Sequence, residues 1–153
     1  MVSENFAGNI IVNLANLPDF LRRPILKKRM EEFFTLPEDD RVEVISNALA
    51  AGPTIPFPNF AKLFGTWLDI LADSEEKKRE TMFSAYIAQI LKDPQKLILF
   101  NLDGILEVFL GLEESKKDTL AHSIRSIFSK LADNEKKTLE LIVPQNAKSH
   151  LGI

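Results

Sequence analysis

Apolar residues recur along this chain at intervals of three and four positions, which is the spacing of an amphipathic helix. Phe60, Phe64 and Trp67 follow that spacing in one of the densest stretches. Because a helix core needs such a row, we interpret these aromatic residues as core packing. No stretch alternates between apolar and polar residues for long enough to require a strand. The pattern predicts an all-α protein of about eight helices.

A short phrase precedes four of the apolar stretches: a leucine, an acidic turn and a first helical turn of mixed charge. Its copies begin at Leu36, Leu71, Leu112 and Leu131, at intervals of 35, 41 and 19 residues. Carboxylates in a first turn interact favourably with the helix dipole, so we assign them to capping. The first two intervals each correspond to the length of two helices, and the third corresponds to one helix. We predict an antiparallel stack of helix hairpins, a short α-solenoid, with a compact helical bundle as the alternative.

Prolines, glycines and small polar residues predict several helix boundaries. Ser3 and Ser74 are expected to cap helices at their N-termini. Pro24 is placed to open a helix, and Gly52 to close one as a C′ residue. The stretch Asn101-Leu102-Asp103-Gly104 is expected to bend or cap the segment after Pro94.

The rhythm Leu-x-x-x-Glu-x-x-Arg/Lys before an apolar stripe extends over about residues 30–143. It resembles the right-handed superhelical repeats of two helical domains, the intracellular N-terminal domain of bacterial magnesium transporters and the flagellar motor-switch protein. The resemblance implies stacked helix hairpins. It transfers no functional residue, because the metal and partner sites of those families are not identifiable in this sequence.

The length predicts one domain, residues 1–153. Residues 52–58 hold three prolines and are expected to form a stiff connector within it. The asparagines of residues 1–17 make that helix a poor core element, so we expect it to be peripheral. Residues 144–153 are expected to form a short helical turn or a docked tail.

Composition narrows the function classes. The apolar fraction of 45% and the charged fraction of 27% are those of a globular domain. The absence of cysteine excludes disulfides, a thiolate nucleophile and cysteine-ligated zinc. Glu4 argues against a signal peptide, and no apolar run approaches the roughly 20 residues that span a bilayer. These features predict a cytoplasmic protein without a transmembrane segment.

The most basic stretch is Arg22–Arg29, with five positive charges in eight residues. It could attract nucleic acid or the anionic surface of a membrane. Asp19, Glu31 and Glu32 dilute its field, and the net charge of −3 argues against a dedicated nucleic-acid binder. We therefore favour a solvated helix face and keep association with an anionic surface or nucleic acid as an alternative function.

Few residues are suited to catalysis. His122 falls off the apolar face of its helix, and His150 lies in the tail, so the two could meet only if the tail folds back. No phosphate-binding loop, nucleophile elbow or HExxH motif is present. We predict no enzyme and no cofactor. A divalent-metal-sensing domain using the acidic turns is a further alternative.

The sequence therefore predicts a non-enzymatic helical module that binds a protein partner or a second copy of itself. The apolar residues of the first helix and the basic stretch are the candidate contacts. The candidate residues are Phe6, Ile10, Leu14, Arg22, Arg23, Lys27, Lys28 and Arg29.

Overall fold

The computed structural model of the protein describes the backbone of residues 6–153 and the side chains of residues 8–153. This part of the chain forms ten α-helices, one 3-10 turn at Gly52–Thr54 and no strand, so the fold is all-α. The helices are α1 (Phe6–Ala15), α2 (Asp19–Phe33), α3 (Glu38–Ala51), α4 (Phe57–Ala72), α5 (Glu76–Lys92), α6 (Gln95–Ile98), α7 (Leu102–Leu110), α8 (Glu114–Ser129), α9 (Asp133–Ile142) and α10 (Gln145–Leu151).

Two features raise the helix number from the expected eight to ten. The segment after Pro94 is divided into α6 and α7, and the Asn101 side chain caps α7 by accepting a hydrogen bond from the Gly104 N–H at 3.0 Å. This confirms the cap expected within residues 101–104. The tail forms α10, which packs against α8.

Seven helices begin at a constant interval. The residue that precedes each of α2, α3, α4, α5, α6, α8 and α9 lies 19 residues after the previous one, and α6 and α7 share one interval. These residues are Pro18, Pro37, Pro56, Glu75, Pro94, Glu113 and Ala132. The unequal intervals expected from the leucines arise because Leu71 lies inside α4, whereas Leu36, Leu112 and Leu131 each lie one position before such a residue.

Two expected helix starts are wrong. Pro24 lies inside α2, which begins at Asp19. Proline has no N–H to donate to the Phe20 carbonyl four residues earlier. It is tolerated because it faces solvent, where water can donate to that carbonyl instead. Ser74 does not cap α5, because its hydroxyl donates to the Ile70 carbonyl at 2.8 Å and so closes α4. Glu75 takes the N-cap position.

Gly52 follows α3 as expected, but it is not a left-handed C′ residue. Its φ and ψ are −51° and −50°, and it opens the 3-10 turn. A glycine is needed because the Phe100 ring packs against it: an added Cβ would lie 2.5 Å from Phe100 Cε1. The expected cap Ser3 lies outside the described residues.

The helices pack in two layers. α1, α3, α5 and α8 follow one another in the first layer, and α2, α4 and α7 in the second. α4 joins the layers because it also packs against α1 and α8. The core lies between them, and its least exposed apolar side chains are Ile45, Leu71 and Leu120.

Candidate functional site

The first residue of the basic stretch is part of the interior. Arg22 is 2% exposed, and its Nε donates to the Leu14 carbonyl at 3.0 Å. Its guanidinium also bonds the Leu17 carbonyl and the Asp19 carboxylate. Arg22 therefore closes the turn between α1 and α2 and is not available to a partner in this fold.

The same contact recurs at two later turns. Arg41 Nε donates to the Phe33 carbonyl at 3.2 Å, and Arg79 Nη1 donates to the Leu71 carbonyl at 3.1 Å. Each arginine is the fourth residue of its helix and reaches a carbonyl eight residues earlier, at the end of the preceding helix. The last carbonyls of a helix lack partners within the helix, so these cations satisfy them.

Arg23 is held by an ion-pair network that joins three helices. Its guanidinium pairs with Asp69 and Asp73 of the α4 end, and Lys116 of α8 also pairs with Asp69. Partial burial opposes ionisation of Asp69, but hydrogen bonds from Lys116 and Arg23 outweigh it and hold its pKa below the ordinary value. The hydrogen bond to Asp69 likewise raises the pKa of Lys116.

The remaining basic residues lie on the surface of α2. Lys27 and Lys28 are exposed and form no ion pair with any residue that the structure describes. Arg29 pairs with Glu32 at 3.1 Å. Of the five cations in the stretch, two are therefore open to an external partner without breaking a contact within the chain.

The candidate residues of α1 are partly enclosed. Leu14 is 2% exposed, and Ile10 is half-buried against the core, because α1 packs against α3. The side chain of Phe6 lies outside the described residues. Partner binding through these three residues stays a prediction, and Leu14 faces the protein interior.

Three large apolar side chains on α2 face solvent: Phe20 is 76% exposed, Leu21 40% and Ile25 39%. At about 100° per residue, they and the exposed Pro24 cover one arc of the helix, opposite the buried Leu26. We call these four residues the α2 face. The sequence analysis did not identify this face because it started the helix at Pro24. A start at Asp19 would have placed the exposed and the buried apolar residues on opposite sides of the helix.

An open groove of about 250 Å³ lies between α5, α8 and α9. Its apolar lining comes from Ile87, Ala88, Leu91, Ile127 and Leu131, and its polar lining from Glu80, Ser84, Lys130 and Glu135. We call it the α5–α9 groove. Its residues come from distant parts of the chain, and no local pattern in the sequence predicts it.

The aromatic row packs as expected. Phe60, Phe64 and Trp67 are half-buried, their neighbouring ring centroids are 5.7 Å apart, and Trp67 lies 5.3 Å from Tyr86. Burial raises the pKa of Tyr86 to about 12. The row packs against the buried core.

The histidines and carboxylates show no metal centre in the described part of the chain. His122 is exposed, and its Nε2 lies 3.3 Å from Glu76 Oε1. Across residues 6–153, no three histidine, aspartate or glutamate side chains are placed to hold a metal ion. Within the same residues, no helix combines the length and the apolar character needed to cross a lipid bilayer.

The chain matches no protein-family model, and no curated protein or solved structure is significantly similar to it. The resemblance to superhelical repeat domains therefore rests on the cap-and-stripe pattern alone.

Proposed function

We propose that the protein is a non-enzymatic helical interaction module that docks a protein through the α2 face. The exposure of Phe20, Leu21 and Ile25 side by side carries this proposal. Contiguous apolar surface on a soluble protein marks interaction sites, and aromatic residues are common anchors there. Burying apolar surface contributes roughly 25 cal/mol per Å², so a partner that covers this face gains affinity from it.

A helical-repeat scaffold supports this function. The constant interval of 19 residues is a feature of an α-solenoid, and so is the packing of each helix from α1 to α5 against the helix two units along. Each unit then contacts mainly its neighbours and leaves one side open for binding. A chain without cysteine suits a reducing compartment, and we place the module in the cytoplasm.

Association with an anionic surface is the weaker candidate. Arg22 and Arg23 are committed to contacts within the chain, and Arg29 is paired, which leaves Lys27 and Lys28. Two cations contribute little to counterion release. Capture by protein rather than by nucleic acid or lipid is therefore the expected result.

The test compares two charge insertions of equal size. Phe20→Asp removes the main anchor of the α2 face, whereas Leu141→Asp changes a residue of α9 that is 87% exposed. We expect a tagged wild-type chain in the cells that produce it to retain specific proteins, Leu141→Asp to retain the same set, and Phe20→Asp to lose them. Both positions are exposed, so neither change should alter stability by more than about 0.5 kcal/mol.

Thermal unfolding followed by circular dichroism checks that both variants are folded. An unchanged set of captured proteins in Phe20→Asp would refute docking through the α2 face.

A further inference from the structure

We propose that the α2 face binds the α5–α9 groove of a second copy of this chain, so that copies associate head to tail. The inference rests on the proposed function, because it assigns a partner to the same face. Both halves of the contact are present on one molecule. α2 packs against α1 and α4, whereas the groove is formed by α5, α8 and α9.

The groove is large enough to hold one aromatic ring of the α2 face. A cavity of about 150 Å³ can hold a benzene molecule. The groove has a volume of about 250 Å³ and is lined by Ile87, Leu91 and Ile127. Phe20, the most exposed residue of the α2 face, therefore fits as the central anchor. Ala88 and Ser84 have small side chains, so the α5 side of the groove stays open to a side chain that enters from solvent.

The charges of the two surfaces are opposite. Glu80 and Glu135 line the groove together with Lys130, which leaves one excess negative charge. Glu135 is held in place because its Oε1 accepts a hydrogen bond from the Ala132 N–H at 3.0 Å. Complementary charges of this kind fix the orientation of a docked surface.

The α2 face is bordered by the exposed Lys27 and Lys28. On the same helix, the ion pairs Arg29–Glu32 and Arg22–Asp19 are neutral, and Arg23 is paired with carboxylates of α4 and its C-terminal end. The exposed Glu31 offsets one lysine. One excess positive charge remains beside the apolar patch. The face and the groove thus carry charges of opposite sign around apolar centres.

A contact between two different surfaces is heterologous and does not close on itself with two copies. Each dimer keeps one unoccupied α2 face and one unoccupied groove. Continued addition gives rings or filaments, so the mean mass should rise steadily with concentration rather than stop at two copies.

Sedimentation velocity tests the contact. From about 1 to about 500 µM, the wild-type mean mass should increase. Phe20→Asp blocks the face, and Ala88→Arg fills the groove; each variant alone should stay monomeric. Because Ala88 is exposed, the arginine should be tolerated in the fold, and circular dichroism checks this for both variants.

Mixing the two blocked variants gives the sharpest result. Phe20→Asp keeps its groove and Ala88→Arg keeps its face, so an equimolar mixture should form heterodimers and nothing larger. A wild-type chain that associates while this mixture stays monomeric would overturn the head-to-tail arrangement. Leu141→Asp is the matched control and should associate like the wild type.

Charge reversal gives an independent check. Lys27→Glu with Lys28→Glu should weaken self-association at least about fivefold, and adding Glu80→Lys should recover most of the loss. A wild-type chain that is monomeric throughout would refute this inference. The proposed function would still hold if Phe20→Asp abolished the capture of partner proteins. It would be refuted only if Phe20→Asp captured the same proteins as the wild type.

Discussion

Three arginines near helix starts show how single residues join consecutive helices. Arg22, Arg41 and Arg79 each bond a carbonyl eight residues earlier. A guanidinium has five N–H donors in a fixed plane, so one side chain can satisfy several carbonyls, and its charge opposes the negative end of the preceding helix. Arg79 also donates to the buried Ser123 hydroxyl at 2.7 Å. These three arginines therefore act in folding, by closing the turns before α2, α3 and α5.

At the same scale, Asp69 predicts an acid-sensitive contribution to stability. Its pKa is lowered in the folded state by Lys116 and Arg23. The ionised carboxylate therefore stabilises the fold fully above its unfolded pKa of about 3.9, and this stabilisation is lost as the pH falls through the lower folded-state pKa. We expect Asp69→Asn to reduce the free energy of unfolding by about 1 kcal/mol at pH 7. The difference from the wild type should narrow below about pH 4.

Urea denaturation between about pH 2.5 and pH 7 measures this difference. Asp118→Asn is the control, since Asp118 is exposed and forms no ion pair with the residues described. A gap between wild type and Asp69→Asn that stays constant down to the lowest pH would contradict the assignment.

At the scale of elements, the break between α6 and α7 has a packing reason. Phe100 leaves the helical path there, and its ring contacts Phe60 at a centroid distance of 5.5 Å. The same ring packs against Gly52. The break thus directs an aromatic side chain onto the 3-10 turn between α3 and α4.

This packing predicts opposite effects for two glycine substitutions. Gly52→Ala should destabilise the fold by about 1–3 kcal/mol, because the new methyl group meets the Phe100 ring. Gly65→Ala in α4 should stabilise the fold by about 0.4–1 kcal/mol, because alanine reduces the conformational freedom of the unfolded chain. The new Cβ would have room, since the nearest side-chain atom, Val108 Cγ1, would lie 3.5 Å from it. Chemical denaturation compares the two, and Phe100→Leu should reduce the cost of Gly52→Ala. Effects of the same sign would contradict the packing argument.

The success of prediction differs between elements for physical reasons. Helical spacing located the helices because burial of one face requires it, and the cap within residues 101–104 was identified because an asparagine side chain can cap only locally. Ser74 was misassigned because a serine hydroxyl can bond either the helix before it or the helix after it. Prediction of the α2 face required the correct start of α2. That start was missed because an arginine is expected on the surface, whereas Arg22 is buried.

At the scale of the whole molecule, the constant interval of 19 residues is only partly marked in the sequence: Pro18, Pro37, Pro56 and Pro94 follow it, but three of the seven positions hold no proline. Proline, glutamate and alanine all occupy the position before a helix, since backbone geometry rather than one side chain defines it. The all-α class needed only periodicity. The α5–α9 groove needed the tertiary arrangement, because Glu80 and Glu135 lie on helices that meet only in the folded chain.

The interval also predicts a position where the arginine contact is missing. Ile98 is the fourth residue after Pro94, which is the sequence position that the three arginines occupy in their units, and it is 57% exposed. The turn itself differs, because Pro94 has a ψ of −24° where Pro18, Pro37 and Glu75 have ψ of 153°, 156° and 145°. The carbonyl eight residues earlier belongs to Ile90, near the end of α5. We expect Ile98→Arg to bond this helix end and to raise the free energy of unfolding by about 1 kcal/mol.

Leu99→Arg is the matched control for this change. Leu99 is 70% exposed and lies one position out of register, so an arginine there gains charge and loses apolar surface without reaching the same carbonyl. Urea denaturation should therefore show stabilisation for Ile98→Arg and little change for Leu99→Arg. Equal stabilisation by both would mean that removal of exposed apolar surface, rather than the 19-residue register, sets the effect. Stabilisation by Ile98→Arg alone would show that the position of the arginine in the 19-residue register determines its effect on the free energy of unfolding, because both variants carry the same new side chain.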